Sequence, residues 1–256
     1  MTSLLYILLC YFTLAHNNTN IENTKKITSI LQINYGVIFP NKNQEFFDIY
    51  EKDLGGLAKS FKYSSIIGIT NKFILKNDFR IGASLNYYKF KLYDEFEQLI
   101  VPNQLLKRNI VENLTWEDYP ILFIFEYNPN IKKQFNSYIG CGIGLVLSKV
   151  YWNESIETYS WDVRKGGIVY DELKFYPALR FYFGTELGFD KEKNDSFLGG
   201  ILIEPRINYT FRQIDFFSPI SNQIPDAYYG INRKFWFNNF IFELDLGLTF
   251  NFYFKK

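Results

Sequence analysis

Histidine is almost absent: the 256-residue chain holds one, His16, close to its start. Triads built on an imidazole, and zinc or iron sites ligated by several imidazoles, are therefore excluded from the body of the fold. Cysteine is nearly as scarce. Cys10 lies in an N-terminal apolar run, and Cys141 alone can form neither an internal disulfide nor a metal site. Charge of one sign is missing too: 28 Lys and Arg stand against 27 Asp and Glu, so nothing marks a nucleic-acid surface or an acidic tail. No run reaches the ~18 apolar residues of a membrane helix, and the mean hydropathy is −0.14. Nothing in the sequence calls for a cofactor or a metal. Gly140-Cys141-Gly142-Ile143-Gly144 is glycine-rich, but it lies inside a strand pattern with no helix start after it, so it is not a phosphate loop.

What the chain has in excess is aromatic residues, 27 Phe and 20 Tyr, which fit a pleated surface better than a helix. The clearest stretch is the last, Asn239 to Phe254. Phe240, Phe242, Leu244, Leu246, Leu248, Phe250, Phe252 and Phe254 fall on one face, and Ile241, Glu243, Asp245, Gly247, Thr249, Asn251 and Tyr253 on the other. As one strand it spans roughly 50 Å, well beyond a typical soluble strand.

Seven earlier segments repeat the pattern: Ile27–Phe39, Lys62–Leu75, Phe79–Leu92, Tyr119–Tyr127, Ser137–Tyr151, Phe175–Phe189 and Leu198–Phe211. Their connections alternate. Lys76–Asp78, Asn128–Asn136 and Asp190–Ser196 are short and polar; Pro40–Phe61, Tyr93–Asp118, Trp152–Lys174 and Arg212–Asn238 are long. In an up-and-down meander this puts short turns at one rim and long loops at the other, as in transmembrane barrels. The expected fold is all-β: an eight-stranded antiparallel up-and-down transmembrane β-barrel over 27–256, in a single domain.

Lipid rather than water is expected outside, because of the polar face. It is rich in glycine (Gly36, Gly68, Gly82, Gly140, Gly142, Gly144, Gly184, Gly188 and Gly247), as suits a narrow lumen, while the apolar face is too bulky to be enclosed. Lipid leaves no unpaired backbone group affordable, so the sheet must close, the first strand pairing with the last. The same parity places Arg80, Glu126, Arg180, Glu186, Glu204, Arg206, Glu243 and Asp245 in the lumen, where charges must pair. Glu243 and Asp245 are expected partners of Arg206 or Arg180. A salt-bridged plug follows, with a structural or surface-interaction role and no enzyme activity. The rivals are a small porin or transport barrel, whose lumen would hold a water path, and a soluble ligand-binding calyx with its apolar face inside.

Met1–Ala15 has an apolar core of secretory length and a small-x-small end, so 1–15 is expected to be a signal peptide and 16–26 a flexible lead. Tyr35, Phe39, Tyr119, Tyr127, Tyr151, Trp152, Tyr209 and Tyr253 fit interfacial girdles. Trp116, Trp161, Tyr228, Tyr229 and Trp236 lie in the long connections, where a surface ligand could dock.

The segments Tyr119–Tyr127 (YPILFIFEY), Tyr138–Leu147 (YIGCGIGLVL), Tyr176–Phe189 (YPALRFYFGTELGF) and Leu244–Phe254 (LDLGLTFNFYF) resemble the eight-stranded outer-membrane β-barrel proteins of Gram-negative bacteria, especially the porin-family barrels of the Bacteroidetes/Chlorobi group. The resemblance covers roughly Ile27 to the C-terminus. It implies location in the outer membrane, outer-membrane lipid as a partner, and recognition of the final strand by barrel-assembly machinery. In this chain Lys255 and Lys256 follow the last Phe, a departure from a strand that ends on an aromatic. That family shares no catalytic residues. Lipid-modifying enzymes of the same architecture use a rim histidine, which this chain lacks beyond His16.

Overall fold

The computed structural model describes residues 29–75, 78–101, 106–129, 134–157, 167, 169–189, 197–215 and 235–252. The N-terminal segment expected to be a signal peptide and lead lies outside them, as do Trp161, Tyr228, Tyr229 and the final Tyr253 and Phe254.

Eight antiparallel strands close into a barrel: β1 (Ser29–Phe39), β2 (Ser64–Ile74), β3 (Phe79–Val101), β4 (Leu106–Tyr127), β5 (Phe135–Ile156), β6 (Val169–Gly188), β7 (Leu198–Thr210) and, after a two-residue pair β8 (Gln213–Ile214) and β9 (Phe235–Trp236), the closing β10 (Phe240–Phe252). Neighbours in sequence are neighbours in the sheet. β1 closes the ring on β10 from Ser29↔Phe252 to Phe39↔Phe242, so the edge left by the meander is paired.

The alternation holds throughout the lower barrel. Outward apolar residues run from Phe79 to Tyr87 on β3, Tyr119 to Tyr127 on β4 and Ile139 to Leu147 on β5, nine residues each. Strands of this length, tilted as barrels require, span about 25 Å. Side chains of this belt are wide open, with Ile139 61% and Phe123 59% exposed. One face departs from expectation at the end of the chain. Phe252 is buried rather than exposed, its ring covered by Phe197 at 5.5 Å, next to a register shift between β10 and β7 at Thr249 and Phe250.

The larger difference lies above the belt. Tyr93–Val101, Leu106–Asp118, Trp152–Ile156 and Val169–Lys174, all in segments expected as loops, are strand. β3 runs 23 residues while its neighbour β2 runs 11. The backbone alternation never stops at Tyr87 and Tyr119; the polarity of the two faces swaps. Below, the outside is apolar and the lumen polar. Above, Lys89, Lys91, Tyr93, Glu95 and Glu97 point outward while Tyr88, Phe90, Leu92 and Phe96 are buried. A strand leaving lipid for water must exchange its faces, and a pattern tracked by "apolar outside" ends at the crossing.

The described parts of the remaining long connections, 40–61, 212–215 and 235–238, pack against this upper sheet. Helix α1 (Gln44–Ile49), prolonged by a wider turn over Tyr50–Leu54, lays Phe46, Phe47 and Tyr50 against Phe61, Trp152 and Phe237. Phe237 stacks on Trp116 at 4.2 Å, with the ring planes 5° apart. Asn43 and Asn238, both in the left-handed backbone region at φ 49°, clasp the two loops together: Asn238 N donates to Asn43 Oδ1 at 2.6 Å and Asn43 Nδ2 to Asn238 Oδ1 at 3.2 Å. Asparagine tolerates that backbone region better than most residues. Trp152, expected in a girdle, is buried and donates Nε1 to Glu112 at 2.6 Å.

Candidate functional site: a filled lumen in two halves

The lower lumen is a buried ionic network. Strand alternation brings Arg80 (β3), Glu126 (β4), Arg180 and Glu186 (β6), Glu204 and Arg206 (β7), and Glu243 and Asp245 (β10) inside, each 2% exposed or less. The registers explain the contacts. Arg80 lies directly across from Glu126 and donates to it at 2.6 Å; Arg206 lies across from Glu243. Arg206 ion-pairs Asp245, sits 3.7 Å from Glu243, and donates Nε to Glu204 at 2.5 Å. Arg180 is 3.7 Å from Glu243 and donates to Asn208 at 2.7 Å and to Ser84 at 3.1 Å. Glu186 sits nearer the short-turn rim, accepting from Thr249 at 2.7 Å and Asn136 at 3.3 Å.

Lys72 on β2 is the central cation that sequence reasoning passed over. It donates to Glu126 at 2.6 Å, lies 3.9 Å from Glu204, and sits 4.8 Å from the centre of the Tyr138 ring. Its strand, Ser-Ser-Ile-Ile-Gly-Ile-Thr-Asn-Lys-Phe-Ile, alternates less sharply than the others, so side-chain parity alone does not mark Lys72 as inward. With Lys72 counted, four buried cations (Lys72, Arg80, Arg180, Arg206) interlock with four carboxylates (Glu126, Glu204, Glu243, Asp245); Glu186, the fifth buried carboxylate of this half among the described residues, stands nearer the rim on Thr249 and Asn136. Charges this buried are tolerable only when balanced.

Two tyrosines fill the space the glycines leave. Tyr138 lies across from Gly184, and Gly140 across from Tyr182. A Cβ on Gly184 would come within 2.1 Å of the Tyr138 ring, and one on Gly140 within 2.2 Å of the Tyr182 ring. Each glycine is the floor on which its cross-strand partner's ring lies. The hydroxyls then reach carboxylates, Tyr138 to Glu204 at 2.7 Å and Tyr182 to Glu126 at 3.3 Å.

A second missed pair divides the halves. Asp118 accepts from Arg212 at 2.7 Å, Tyr88 at 2.8 Å, Trp116 Nε1 at 2.7 Å and the Ser148 hydroxyl. Arg212 spreads over the Trp116 ring at 4.2 Å. Both residues lie in segments expected as loops. Extending the even-number parity of β4 one pair back from Pro120, and of β7 one pair on from Thr210, places them inside. Above them the filling is the aromatic cluster, tied by Asp94, which accepts from Tyr50 at 3.0 Å and from the backbone of Leu57 and Ala58 at 2.7 and 2.9 Å. Burial, followed by the nearby Glu112 and Asp94 carboxylates, raises the Tyr50 phenol above its ordinary value, so it remains a donor.

Eight strands closed on a packed lumen, wrapped in a belt of exposed Phe, Ile and Leu that water would not solvate, define a membrane-spanning β-barrel. Among solved structures the chain is similar in fold to Neisserial surface protein A (12% identity, 88% of this chain and 97% of that one, TM-score 0.44). It is also similar to OprG of Pseudomonas aeruginosa (10%, 90% and 99%, 0.41) and to Ail, the attachment invasion locus protein of Yersinia pestis (10%, 88% and 99%, 0.39). No family model and no curated protein matches the chain, so the Bacteroidetes/Chlorobi likeness rests on the quoted segments alone.

Proposed function

We propose that the protein is an integral barrel of a bacterial outer membrane, closed to solutes, without enzymatic activity, which presents a rigid four-stranded wall to the outside. The observation that carries this is the exchange of faces along β3, β4 and β5. The same strands are apolar outside over one membrane thickness, then polar outside around an aromatic core. A conducting pore would need a hydrated path past Arg180, Glu204 and Arg206, and these side chains are packed against one another and against Tyr138 and Tyr182. A soluble calyx would not leave Phe123, Phe181 and Leu246 more than half exposed in one continuous belt. Export through the N-terminal segment, delivery by barrel-assembly machinery through β10, and a surface ligand on the upper wall belong to the same proposal. Fractionation of cells tests it: the protein should pellet with the outer membrane and migrate faster on an unboiled gel than on a boiled one. Recovery in the soluble periplasm refutes it. In planar bilayers the purified barrel should give no unitary current steps, and steady ohmic steps would favour the porin reading.

A further inference from the structure

The barrel wall has a notch. β2 begins at Ser64, but β3 beside it climbs to Val101, and the pairing between them ends at Ile66↔Tyr88. A cavity of about 580 Å³ occupies the step. Its lower wall is apolar belt, with Tyr35, Ile67 and Tyr87 in one cross-strand row. Its upper wall is cationic, with Lys62, Lys89 and Lys91. A smaller cavity of about 220 Å³ adjoins it, sharing Lys89 and adding Lys149.

The lysines have a fixed height. Lys89, Glu117 and Lys149 form one cross-strand row, directly above the row Tyr87, Tyr119, Leu147 that ends the belt. Among the described residues Glu117 is the one carboxylate lining either cavity. It pairs with Lys89 at 2.6 Å, and that bond, reinforced by the neighbouring Lys149 charge, holds its carboxyl below the usual range. Among the described residues Lys62 and Lys91 have no carboxylate within ion-pairing distance, and both are exposed. Four ammonium groups thus share one counter-charge where acyl chains give way to headgroups.

We propose that this notch is a binding site for a phosphorylated lipid of the outer leaflet, its phosphate held by Lys62, Lys91 and Lys149 and its first acyl segment lying along Tyr35, Ile67 and Tyr87. The apolar lower wall selects a lipid over a free phosphate, which would use the lysines alone. The site rests on the membrane-spanning reading for its height, but its test does not depend on where the protein resides in cells.

The test is binding of diphosphoryl lipid A, in neutral-detergent mixed micelles, to the full purified chain, read by native mass spectrometry. Lys62→Gln with Lys91→Gln should weaken binding, and adding Lys149→Gln should weaken it further, at roughly fivefold per lysine near a headgroup surface, about a hundredfold in all. Lys107→Gln, higher on the wall and paired with Glu97, should change nothing. Unchanged unboiled-gel migration confirms that each variant folds. If the triple variant does not fold, the double variant of two exposed lysines decides alone. A change under threefold in the double variant overturns the proposal. So does equal binding of the dephosphorylated lipid. Competition by glucosamine 1-phosphate at the same concentration as the lipid also overturns it, because the site would then be one for free phosphate.

Discussion

Asp118 is the junction between the two halves of the lumen, and its removal is the sharpest test of how the filling works. The side chain is fully buried and is the acceptor for Arg212, Tyr88, Trp116 and Ser148. In Asp118→Ala the Arg212 guanidinium loses its only ion-pair partner among the described residues. Breaking a buried pair from one side costs about 3–5 kcal/mol. Three neutral donors are stranded as well, at about 1–3 kcal/mol each if nothing replaces the acceptor. Two things offset this: Arg212 keeps its stacking on Trp116 and Tyr176, and a water fits where the carboxylate was. A net loss of about 5 kcal/mol is expected. Replacing both partners, Asp118→Leu with Arg212→Met, should cost far less than the sum of the single changes, with a coupling of at least about 3 kcal/mol. Urea unfolding in lipid vesicles, followed by tryptophan fluorescence, measures Asp118→Ala, the single changes Asp118→Leu and Arg212→Met, and the double variant. A single-variant loss below about 1.5 kcal/mol, or additive single losses, would refute the assignment of Asp118 and Arg212 as one buried unit.

Gly184→Ala should cost about 1–3 kcal/mol by driving the Tyr138 ring off its floor and away from Glu204, and Tyr138→Ala in the same chain should recover part of that loss in the same unfolding assay. Phe46→Ala with Phe47→Ala should release the α1 loop, making 40–61 cleavable by added protease while unboiled-gel migration of the barrel stays unchanged. Lys72→Met should destabilise the barrel by about 3 kcal/mol, since Glu126 keeps Arg80 but the four-against-four balance is lost; an unchanged urea midpoint would deny Lys72 its central place. Because the folded Tyr50 phenol titrates above its unfolded value near 10, its contribution should be constant below about pH 10 and fall as pH rises beyond that; Tyr50→Phe should remove this alkaline loss, measured as the difference in unfolding midpoint between pH 8 and pH 11.

Local chemistry alone determined a good deal of this protein. Side-chain parity is a property of the backbone, so eight charges could be assigned to the inside of the barrel without knowing any neighbour. The alternation of short and long connections set the order of the meander, and the need to leave no edge in lipid set the closure of β1 on β10. What parity cannot report is height. The exchange of faces at Tyr87, Tyr119 and Leu147 looks, in a linear reading, like the end of a strand, because the identity of the solvent outside changes there while the backbone does not. Asp118, Arg212 and Trp152 were lost for that reason. Lys72 was lost for another: its strand carries Ser, Thr and Asn on both faces, and only its register against β3 shows that the ammonium meets Glu126. The partners of Phe46 and Phe61 are set by loop paths crossing more than a hundred residues of sequence, to Trp152 and Phe237. The notch that carries the lysine site exists only because β2 stops where β3 continues. That difference in length between neighbours becomes a cavity only once the sheet is rolled and its polarity boundary is set against a membrane.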